Sequence, residues 1–367
     1  MSTKKDKFSF KDNFYMELAL DLARAREGNT GTNPSVGCVI VKNDEIVSIG
    51  QTSNQGRPHA ETNAIRNAFV DLKGAKMYVT LEPCSHHGVT PPCTSSIINS
   101  KIDEVIYSVI DIDKRVKGKT FKILKSKKIN VYTGLLKNKV NEFYTSYFYN
   151  RRKKLPFVSG KIAVAKNNLI YSKNKKKITN WRSDKFTHLL RYKNDTILIS
   201  YKTLNKDNPK LSCRLKNFKK FPKRIILDNR LETNTKSYIF RTSNKDNTIF
   251  FYNEAKKSKI SEFKKKKIKI IKSKTDRWKK FDISTILKKL YHLGCRNILV
   301  EGGNDLTKDF LKKKIYNRFY LFKSTKILSK FSEYKEFNGF NVLKKNYKSK
   351  IKIKSNFGND TITLYKN

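Results

Sequence analysis

Four residues in the first third of the chain constrain its fold more than any other feature of the sequence. His59-Ala-Glu61 stands where a helix is predicted to begin, and Pro83-Cys84 follows the next predicted strand, with eight residues between Cys84 and Cys93. A catalytic zinc site takes three protein ligands and keeps one position open for water. One imidazole and two thiolates fit that requirement. A buried histidine with two incidental cysteines is the alternative interpretation.

The order of these residues matches the general arrangement of zinc deaminases. In that arrangement a His-x-Glu segment precedes a Pro-Cys pair and a further Cys, the glutamate moves protons and the metal lowers the pKa of water. We therefore expect His59, Cys84 and Cys93 to bind Zn²⁺ and Glu61 to be catalytic. The spacing departs from the commonest version, in which two residues separate the cysteines. Here residues 85–92 read Ser-His-His-Gly-Val-Thr-Pro-Pro.

The sequence around these residues alternates helical and extended patterns. Residues 11–28 predict an amphipathic helix, and residues 36–42 and 45–50 predict a hairpin that turns at Asn43-Asp44. The other elements expected up to residue 150 are helices at 59–71, 94–99, 120–127 and 136–149 and strands at 76–81, 104–110 and 130–133. Such alternation is typical of a three-layer α/β domain, which we assign to residues 1–150.

A basic stretch, Arg151-Arg-Lys-Lys154, followed by Pro156, marks the predicted domain boundary. Beyond it the alternation of strands and helices begins again. The predicted strands are 157–165, 196–200, 224–228, 248–252, 268–271 and 297–300, and the predicted helices are 183–192, 283–293 and 306–314. Residues 151–367 are therefore expected to form a second α/β domain, which is long enough to have its own core.

The basic composition needs an interpretation, because 81 Lys+Arg against 31 Asp+Glu give the 367-residue chain a formal charge of +50. The charge is spread along the sequence, densest at 173–177, 256–272 and 344–354, and no nucleic-acid-binding module pattern accompanies it. We interpret these runs as solvated faces, with a nucleic-acid surface as the alternative. No apolar run approaches the roughly 18 residues of a membrane span, and no secretory signal is visible, so we expect a cytoplasmic protein. Five cysteines, an odd number, argue against a disulfide framework.

Three segments closely resemble one family: Asn33-Pro-Ser-Val-Gly-Cys38, His59-Ala-Glu61 and Leu81-Glu-Pro-Cys-Ser-His-His-Gly-Val-Thr-Pro-Pro-Cys93. They are similar to the bifunctional riboflavin-biosynthesis deaminase/reductase, and the match covers almost all of the deaminase half. The resemblance implies a cytidine-deaminase-like three-layer first domain and a dihydrofolate-reductase-like α/β second domain. It also implies zinc on the histidine and the two cysteines, with Glu61 as the proton donor. The His86-His87 pair is interpreted as shaping the loop or contacting substrate, although these residues could instead be ligands.

In the second half the resemblance rests on Val300-Glu-Gly-Gly303 at a strand end and on segments 189–191, 203–209 and 211–214. Two glycines let the backbone approach a pyrophosphate, and the helix start that follows offers free N–H groups. The resemblance implies substrate contacts from Arg191, Leu211, Arg214 and Glu301, and guanidinium groups suit phosphate because they bind it through two hydrogen bonds. It implies NADPH contacts from Ala163, Thr203, Asp207, Gly303, Asn304, Asp305, Leu306, Thr307, Lys308 and Asp309.

The sequence departs from the family in two places. Ala165-Lys-Asn-Asn168 stands where the family usually has Ser-Leu-Asp-Gly, and Lys177 stands where it usually has an aromatic residue before Ile-Thr-Ser. These changes predict weaker cofactor contacts near Ala163 and Lys177. Hydride transfer depends mainly on the cofactor and its position, so we still expect a working reductase.

The resemblance implies two consecutive steps of riboflavin synthesis. The first is hydrolytic deamination of 2,5-diamino-6-ribosylamino-4(3H)-pyrimidinone 5′-phosphate, and the second is NADPH-dependent reduction of the ribosyl group to ribityl. One alternative is a zinc deaminase that acts on nucleic acid, against which the cysteine spacing and Glu301-Gly-Gly303 argue. Another is a deaminase whose second domain is not catalytic, which the departure at 165–168 favours. The expected partner is a phosphorylated pyrimidine, and a homo-oligomer is compatible with the sequence.

Overall fold

The structure, a computed structural model, describes residues 8–173, 177–216, 218–278, 280–331 and 333–366. It divides into two compact units, with the division between Lys154 and Leu155. Each unit has hydrophobic clusters of its own. Among the described residues, no helix is both long enough and apolar enough to cross a membrane.

The first unit alternates helices and strands, as the sequence predicts. In chain order the elements are α1 (Phe10–Ala25), β1 (Gly37–Lys42), β2 (Glu45–Gln51), α2 (Ala60–Arg66), β3 (Lys76–Leu81), α3 (Cys93–Asn99), β4 (Glu104–Val109), α4 (Lys119–Ser126), β5 (Asn130–Thr133), α5 (Lys137–Phe143) and α6 (Thr145–Lys153). Asn43 and Asp44 both have left-handed backbone, at φ 51° and 63°. Two such residues form the tight turn that a right-twisted hairpin requires, so the predicted hairpin is confirmed.

Helices cover both faces of the sheet in this unit. The strand order is β2-β1-β3-β4-β5, with β1 antiparallel to both neighbours and β3, β4 and β5 parallel. Alternate residues of β1 enter different clusters: Val39 and Val41 pack with Tyr15 and Met16 of α1, whereas Ile40 packs on the α2 side. The predicted three-layer α/β architecture is confirmed.

Two glycines let helices approach this sheet more closely than any side chain would allow. A Cβ atom at Gly37 would lie 1.9 Å from the Ala19 carbonyl oxygen in α1, and one at Gly50 would lie 2.2 Å from the Ala60 carbonyl oxygen in α2. The second contact fixes the first turn of α2 against β2. That turn carries Glu61 and begins at His59.

The second unit is built on a larger sheet. In chain order its elements are β6 (Phe157–Val164), β7 (Leu169–Ser172), α7 (Trp181–Lys193), β8 (Thr196–Ser200), α8 (Tyr201–Asp207), β9 (Cys213–Leu215), β10 (Phe218–Lys220), β11 (Lys223–Leu227), α9 (Tyr238–Thr242), β12 (Thr248–Tyr252), α10 (Lys257–Lys265), β13 (Lys269–Lys272), α11 (Ile283–His292), β14 (Asn297–Glu301), α12 (Asn304–Lys312), β15 (Arg318–Lys323), β16 (Tyr334–Glu336), α13 (Phe340–Asn346), β17 (Ser349–Lys352) and β18 (Thr361–Lys366).

The nine-stranded sheet of this unit has the order β13-β12-β11-β8-β14-β6-β15-β18-β17. The strands from β13 to β15 run parallel, and β18 and β17 are antiparallel to their neighbours. The chain leaves β8 towards β11 and later returns to place β14 between β8 and β6. Such a reversal opens a crevice at the carboxyl ends of parallel strands, where α/β sheets bind ligands. The predicted second α/β fold is confirmed.

The predicted strands named above agree with the observed ones to within one residue at each end, but some helices differ. The helix expected at 59–71 ends at Arg66. Phe69, whose apolar side chain favoured a longer helix, is 99% exposed and does not pack against the core. The helix expected at 136–149 is two helices, α5 and α6, separated at Tyr144. The sequence does not predict α10, because that helix lies in a basic run and buries only Phe263.

Candidate active sites

Three potential metal ligands meet at one point of the first unit. His59 precedes α2 as its N-cap residue, Cys93 is the first residue of α3, and Cys84 lies in the loop after β3. The His59 Nδ1 atom lies 3.3 Å from Cys93 Sγ and 3.5 Å from Cys84 Sγ, and all three ligand atoms lie within 4.8 Å of one another. Tetrahedral zinc bound at ordinary Zn–N and Zn–S lengths separates its nitrogen and sulfur ligands by about 3.6 Å. The residues present therefore fit zinc.

The two thiols of this cluster differ in protonation. The Cys93 thiol donates a hydrogen bond to Cys84, and this bond, together with the His59 imidazole, holds the pKa of Cys84 below its ordinary value. The backbone N–H of Cys93 also donates to Cys84 Sγ, at 3.2 Å. The same Cys84 contact raises the pKa of Cys93. One thiolate is thus already stabilised, and a cation would complete the deprotonation of the pair.

Glu61 lies beside the cluster without belonging to it. It is the second residue of α2 and is only 3% exposed. Burial raises the pKa of its carboxyl group. A buried carboxyl group beside a metal site can accept a proton and pass it on.

The loop between the two cysteines presents polar atoms for a ligand. Among the described residues, the buried Ser85 Oγ and His86 Nδ1 atoms have no hydrogen-bond partner. Neither His86 nor His87 joins the three-residue metal cluster found among the described residues. Buried polar atoms that lack partners are costly, so these two atoms are candidates for substrate contacts.

The structure adds a residue that the sequence analysis does not single out. Glu82 is buried, and its carboxylate accepts backbone N–H groups from Asp111, Gly118 and Thr120 at 3.1–3.3 Å. The Thr120 hydroxyl in turn donates to the Pro83 carbonyl oxygen at 2.6 Å. These bonds tie the strand end that carries Cys84 to the loop before α4. The sequence signal was available, since an acidic residue directly after an apolar strand needs partners.

A second candidate site is a cleft of about 1250 Å³ in the second unit, at the carboxyl ends of β6, β8 and β14. The predicted residues that line it are Ala163, Arg191, Thr203, Asp207, Leu211, Glu301, Gly303, Asn304, Asp305, Leu306, Lys308 and Asp309. Two predicted residues do not line it. Arg214 is exposed, and its guanidinium lies 3.0 Å from Ser212 Oγ. Thr307 is a residue of α12 and is buried.

Arg191 and Glu301 form an ion pair in the cleft wall. The guanidinium Nε and Nη2 atoms lie 2.6 and 2.8 Å from the two carboxylate oxygens, and both side chains are nearly buried. Burial alone would raise the pKa of Glu301, but Arg191 outweighs it and holds that pKa below its ordinary value. The guanidinium fork expected to bind substrate phosphate is therefore already occupied by a carboxylate.

Lys161 is a cleft residue that the sequence analysis missed. It lines the cleft from β6 and stands in register with Glu301 of β14, so the two side chains share a face of the sheet. Its ammonium group lies 4.9 Å from the centre of the Phe322 ring, and burial lowers its pKa. The available signal was the single charged residue in the buried strand Phe157–Val164.

Two helix starts border the same cleft and fit a pyrophosphate. Gly303 is the N-cap residue of α12 and provides no side-chain cap, and a Cβ atom there would lie 3.7 Å from Thr203 Oγ1 in the first turn of α8. Backbone N–H groups at such positions bind anionic groups.

The structure also places the two departures from the family pattern. Residues 165–168 form the turn between β6 and β7. Lys177 lines the cleft with its Nζ 3.0 Å from Asp184 Oδ2.

Comparisons with known proteins cover both units. Residues 9–109 match the model of the cytidine and deoxycytidylate deaminase zinc-binding region, and residues 168–362 match that of the RibD C-terminal domain. A riboflavin biosynthesis protein RibD from Aquifex aeolicus is 33% identical over 97% of this chain and 98% of its own length. RibD from Bacillus amyloliquefaciens is 34% identical over 85% of this chain and 84% of its own length.

Solved structures agree with this assignment. Acinetobacter baumannii RibD superimposes with a TM-score of 0.83 over 97% of this chain and 98% of that one, at 23% identity, which shows the shared fold. A Thermotoga maritima diaminohydroxyphosphoribosylaminopyrimidine deaminase/5-amino-6-(5-phosphoribosylamino)uracil reductase superimposes with a TM-score of 0.79, at 29% identity over 97% of this chain and 98% of that one. The chain therefore belongs to the RibD family, the zinc- and NADPH-dependent bifunctional deaminases and reductases of riboflavin biosynthesis.

Proposed function

We propose that the first unit deaminates 2,5-diamino-6-ribosylamino-4(3H)-pyrimidinone 5′-phosphate, with zinc held by His59, Cys84 and Cys93 and with Glu61 as the proton carrier. The observation that carries this proposal is the cluster of three ligand atoms at the starts of two helices, with a buried carboxyl group in α2 beside it. The Thermotoga relative is named as a deaminase of the same substrate class, which supports this proposal.

In the proposed deamination, a carbon–oxygen bond to water forms and the carbon–nitrogen bond of the 2-amino group breaks. Zinc in a three-ligand site supplies Lewis acidity, which makes water a nucleophile at neutral pH. Glu61 accepts the proton that water gives up and returns it to the departing amino group, which leaves as ammonia.

For the second unit we propose reduction of the ribosyl group to ribityl, with NADPH bound by Thr203, Asp207 and the run 303–309, and with a contact from Ala163. NADPH supplies the hydride, which adds to the sugar carbon attached to nitrogen. As the sugar ring opens, its former ring oxygen needs a proton. Lys161 is the cleft ammonium group whose pKa burial lowers, which suits it to donate that proton.

The proposed substrate contacts in this cleft come from Arg191, Leu211 and Glu301, with Arg214 outside the cleft lining. Because Glu301 already occupies the fork of Arg191, the pair would contact uncharged polar groups of the substrate. Lys202 and Lys312 also line the cleft and offer positive charge to phosphate. The proposed partner is thus a small phosphorylated pyrimidine.

We further propose that the enzyme works in the cytoplasm and that it does not bind nucleic acid as a substrate. A homo-oligomer, the third point, is compatible with the sequence. Filter binding across a salt series tests the second point, because contacts to a phosphate backbone weaken steeply with salt. Light scattering of the purified chain tests the third.

A two-stage assay on the purified chain tests the proposed function as a whole. With the diaminopyrimidine phosphate alone, the protein should release one ammonia per substrate and accumulate the deaminated ribosylamino product. Addition of NADPH should then consume one NADPH per product molecule. Ammonia release without NADPH consumption would favour a non-catalytic second domain, and the absence of both would contradict the proposal.

A further inference from the structure

The segment of residues 208–214 joins α8 to β9 and forms part of the cleft wall in the second unit. Leu211 within it is buried and lines the cleft, yet its backbone is left-handed, at φ +52°. Asn208 at the start of the segment is also left-handed, at φ +42°. A leucine keeps this conformation only where its surroundings hold it there. The contacts around the segment identify what holds it.

One carbonyl group anchors the segment to α7. The Ser212 carbonyl oxygen accepts hydrogen bonds from Arg191 Nη1 at 3.2 Å and from Arg214 Nη1 at 3.5 Å. The His188 Nδ1 atom lies 3.1 Å from the same oxygen and 3.3 Å from the backbone nitrogen of Arg214. Two side chains of α7, His188 and Arg191, therefore contact a stretch of three residues.

The contacts of His188 Nδ1 hold the backbone at Ser212 and Arg214. The atom either donates to the Ser212 carbonyl oxygen or accepts from the Arg214 N–H, according to which ring nitrogen carries the proton. Burial, with the nearby charges of Arg191 and Arg214, lowers the pKa of His188, and the Ser212 carbonyl and Glu301 oppose the shift only in part. In either tautomer the imidazole bonds the backbone between Ser212 and Arg214.

The same contacts fix the orientation of Arg191. Its guanidinium donates through Nε and Nη2 to Glu301 and through Nη1 to Ser212. Three bonds from three different nitrogens define the plane of the group. If the Ser212 carbonyl moved, Arg191 would lose one of these bonds and its orientation in the cleft would relax.

We propose that His188 is a positioning residue for the reductase substrate: through the Nδ1 contacts with the Ser212 carbonyl oxygen and the Arg214 N–H it fixes residues 208–214, and through them Leu211 and Arg191. The inference rests on the proposed reductase function. His188 is not among the described residues that line the cleft, so it acts through its neighbours and not by contact with substrate.

Three substitutions test this role. Asparagine places a side-chain amide, which can donate or accept, close to the position of Nδ1. Glutamine places its amide nearer to the position of Nε2, and alanine removes the polar group. In steady-state reduction of the deaminated pyrimidine phosphate, His188→Ala and His188→Gln should raise the KM for the pyrimidine about tenfold. The kcat and the KM for NADPH should stay close to the wild-type values. His188→Asn should restore the wild-type KM.

Ammonia release from the diaminopyrimidine is the control and should be unchanged in all three variants. A wild-type chain that does not reduce the deaminated pyrimidine would contradict the proposed reductase function, which is a different result from failure of the His188 proposal. If His188→Ala does not fold, the pair His188→Asn and His188→Gln still decides the matter. A His188→Gln variant with the wild-type KM, an asparagine variant no better than glutamine, or a fall in kcat alone would overturn the proposal.

Discussion

The metal cluster of the first unit and the cleft of the second unit differ in how their residues are distributed along the chain. The cluster takes all its residues from 59–93, a stretch with two helix starts and one strand end. The residues that line the cleft come from 161–336 and from strands that are neighbours only in the sheet. The positions of the cluster residues therefore follow from their spacing in the sequence, whereas those of the cleft residues depend on the order of the strands in the sheet.

The two sites also differ in how charge is balanced. The cluster contains an imidazole and two sulfur atoms, and a cation would stabilise both thiolates. The cleft already holds its own ion pair, Arg191 with Glu301. Loss of a residue from the cluster should therefore cost metal, while loss of Arg191 should cost folding stability.

The largest expected effect is on the cluster. Cys84→Ser or Cys93→Ser should lower the zinc content from about one ion per chain to near zero, since a hydroxyl group is a poor substitute for a thiolate. Deamination should disappear with the metal, while reduction of the deaminated pyrimidine continues. Metal analysis with both assays measures this, and Cys295→Ser, at a buried cysteine of the second unit, is the control. Full zinc content in both cluster variants would show that other residues bind the metal.

A smaller but still large effect is expected from Glu61→Gln. The amide keeps the size of the side chain but cannot accept a proton, so ammonia release should fall by about 10²–10⁴-fold. Zinc should stay bound, because Glu61 lies outside the ligand cluster. Loss of zinc from this variant would place Glu61 in the metal site, and deamination at the wild-type rate would remove it from the mechanism.

In the cleft, Arg191→Ala should destabilise the second unit by about 3–5 kcal/mol, because it removes the guanidinium that pairs with the nearly buried carboxylate of Glu301. Lys177→Ala is a matched control, since it breaks the exposed pair with Asp184 and should cost less than about 1 kcal/mol. Denaturant unfolding of both variants measures the difference. Equal stabilities would show that the Arg191 pair contributes no more than a surface pair.

The pH dependence of this pair has a definite sign. Arg191 holds the pKa of Glu301 below its ordinary value, so the pair stabilises the folded state above the unfolded pKa of a glutamate. The stabilisation is lost as the pH falls through the lower, folded-state pKa. The stability difference between the wild type and Arg191→Ala should therefore shrink in acid.

The smallest effect is expected from Arg214→Ala. The side chain is exposed, lies outside the cleft lining and bonds within its own segment, to Ser212. We expect the KM of the reductase for the pyrimidine to rise less than tenfold, with ammonia release unchanged. A rise well above tenfold would mean that this guanidinium contacts the substrate phosphate directly.

The sequence reveals the cluster better than the cleft for a physical reason. Few residue types bind zinc, so His59, Cys84 and Cys93 are informative in themselves, and their position at predicted element ends brings them together. Cleft residues such as Leu211 or Lys161 are of common types, and only the strand register shows that Lys161 faces Glu301. The partner of Arg191 could not be predicted either, because the pair spans 110 positions.

The fold shows the same contrast between local and long-range information. Strands were predictable because a run of β-branched residues bounded by turns is a local pattern, as at Thr196–Ser200. Helix α10 was not, because its burial rests on Phe263 and depends on the neighbouring sheet. A glycine can also reflect a long-range contact. Gly50 lies in β2, but the close approach of α2 is the reason that a side chain does not fit there.

The most direct test of two separate sites in one chain compares Glu61→Gln with Lys161→Met in both half-reactions. Glu61→Gln should lose ammonia release but still oxidise NADPH with the deaminated pyrimidine, and Lys161→Met should do the reverse. Each variant should lose about 10²–10⁴-fold in its own half-reaction and keep the wild-type rate in the other. Both variants are first checked for folding, and Glu61→Gln also for bound zinc. If either variant then lost both half-reactions, the two sites would not be separate.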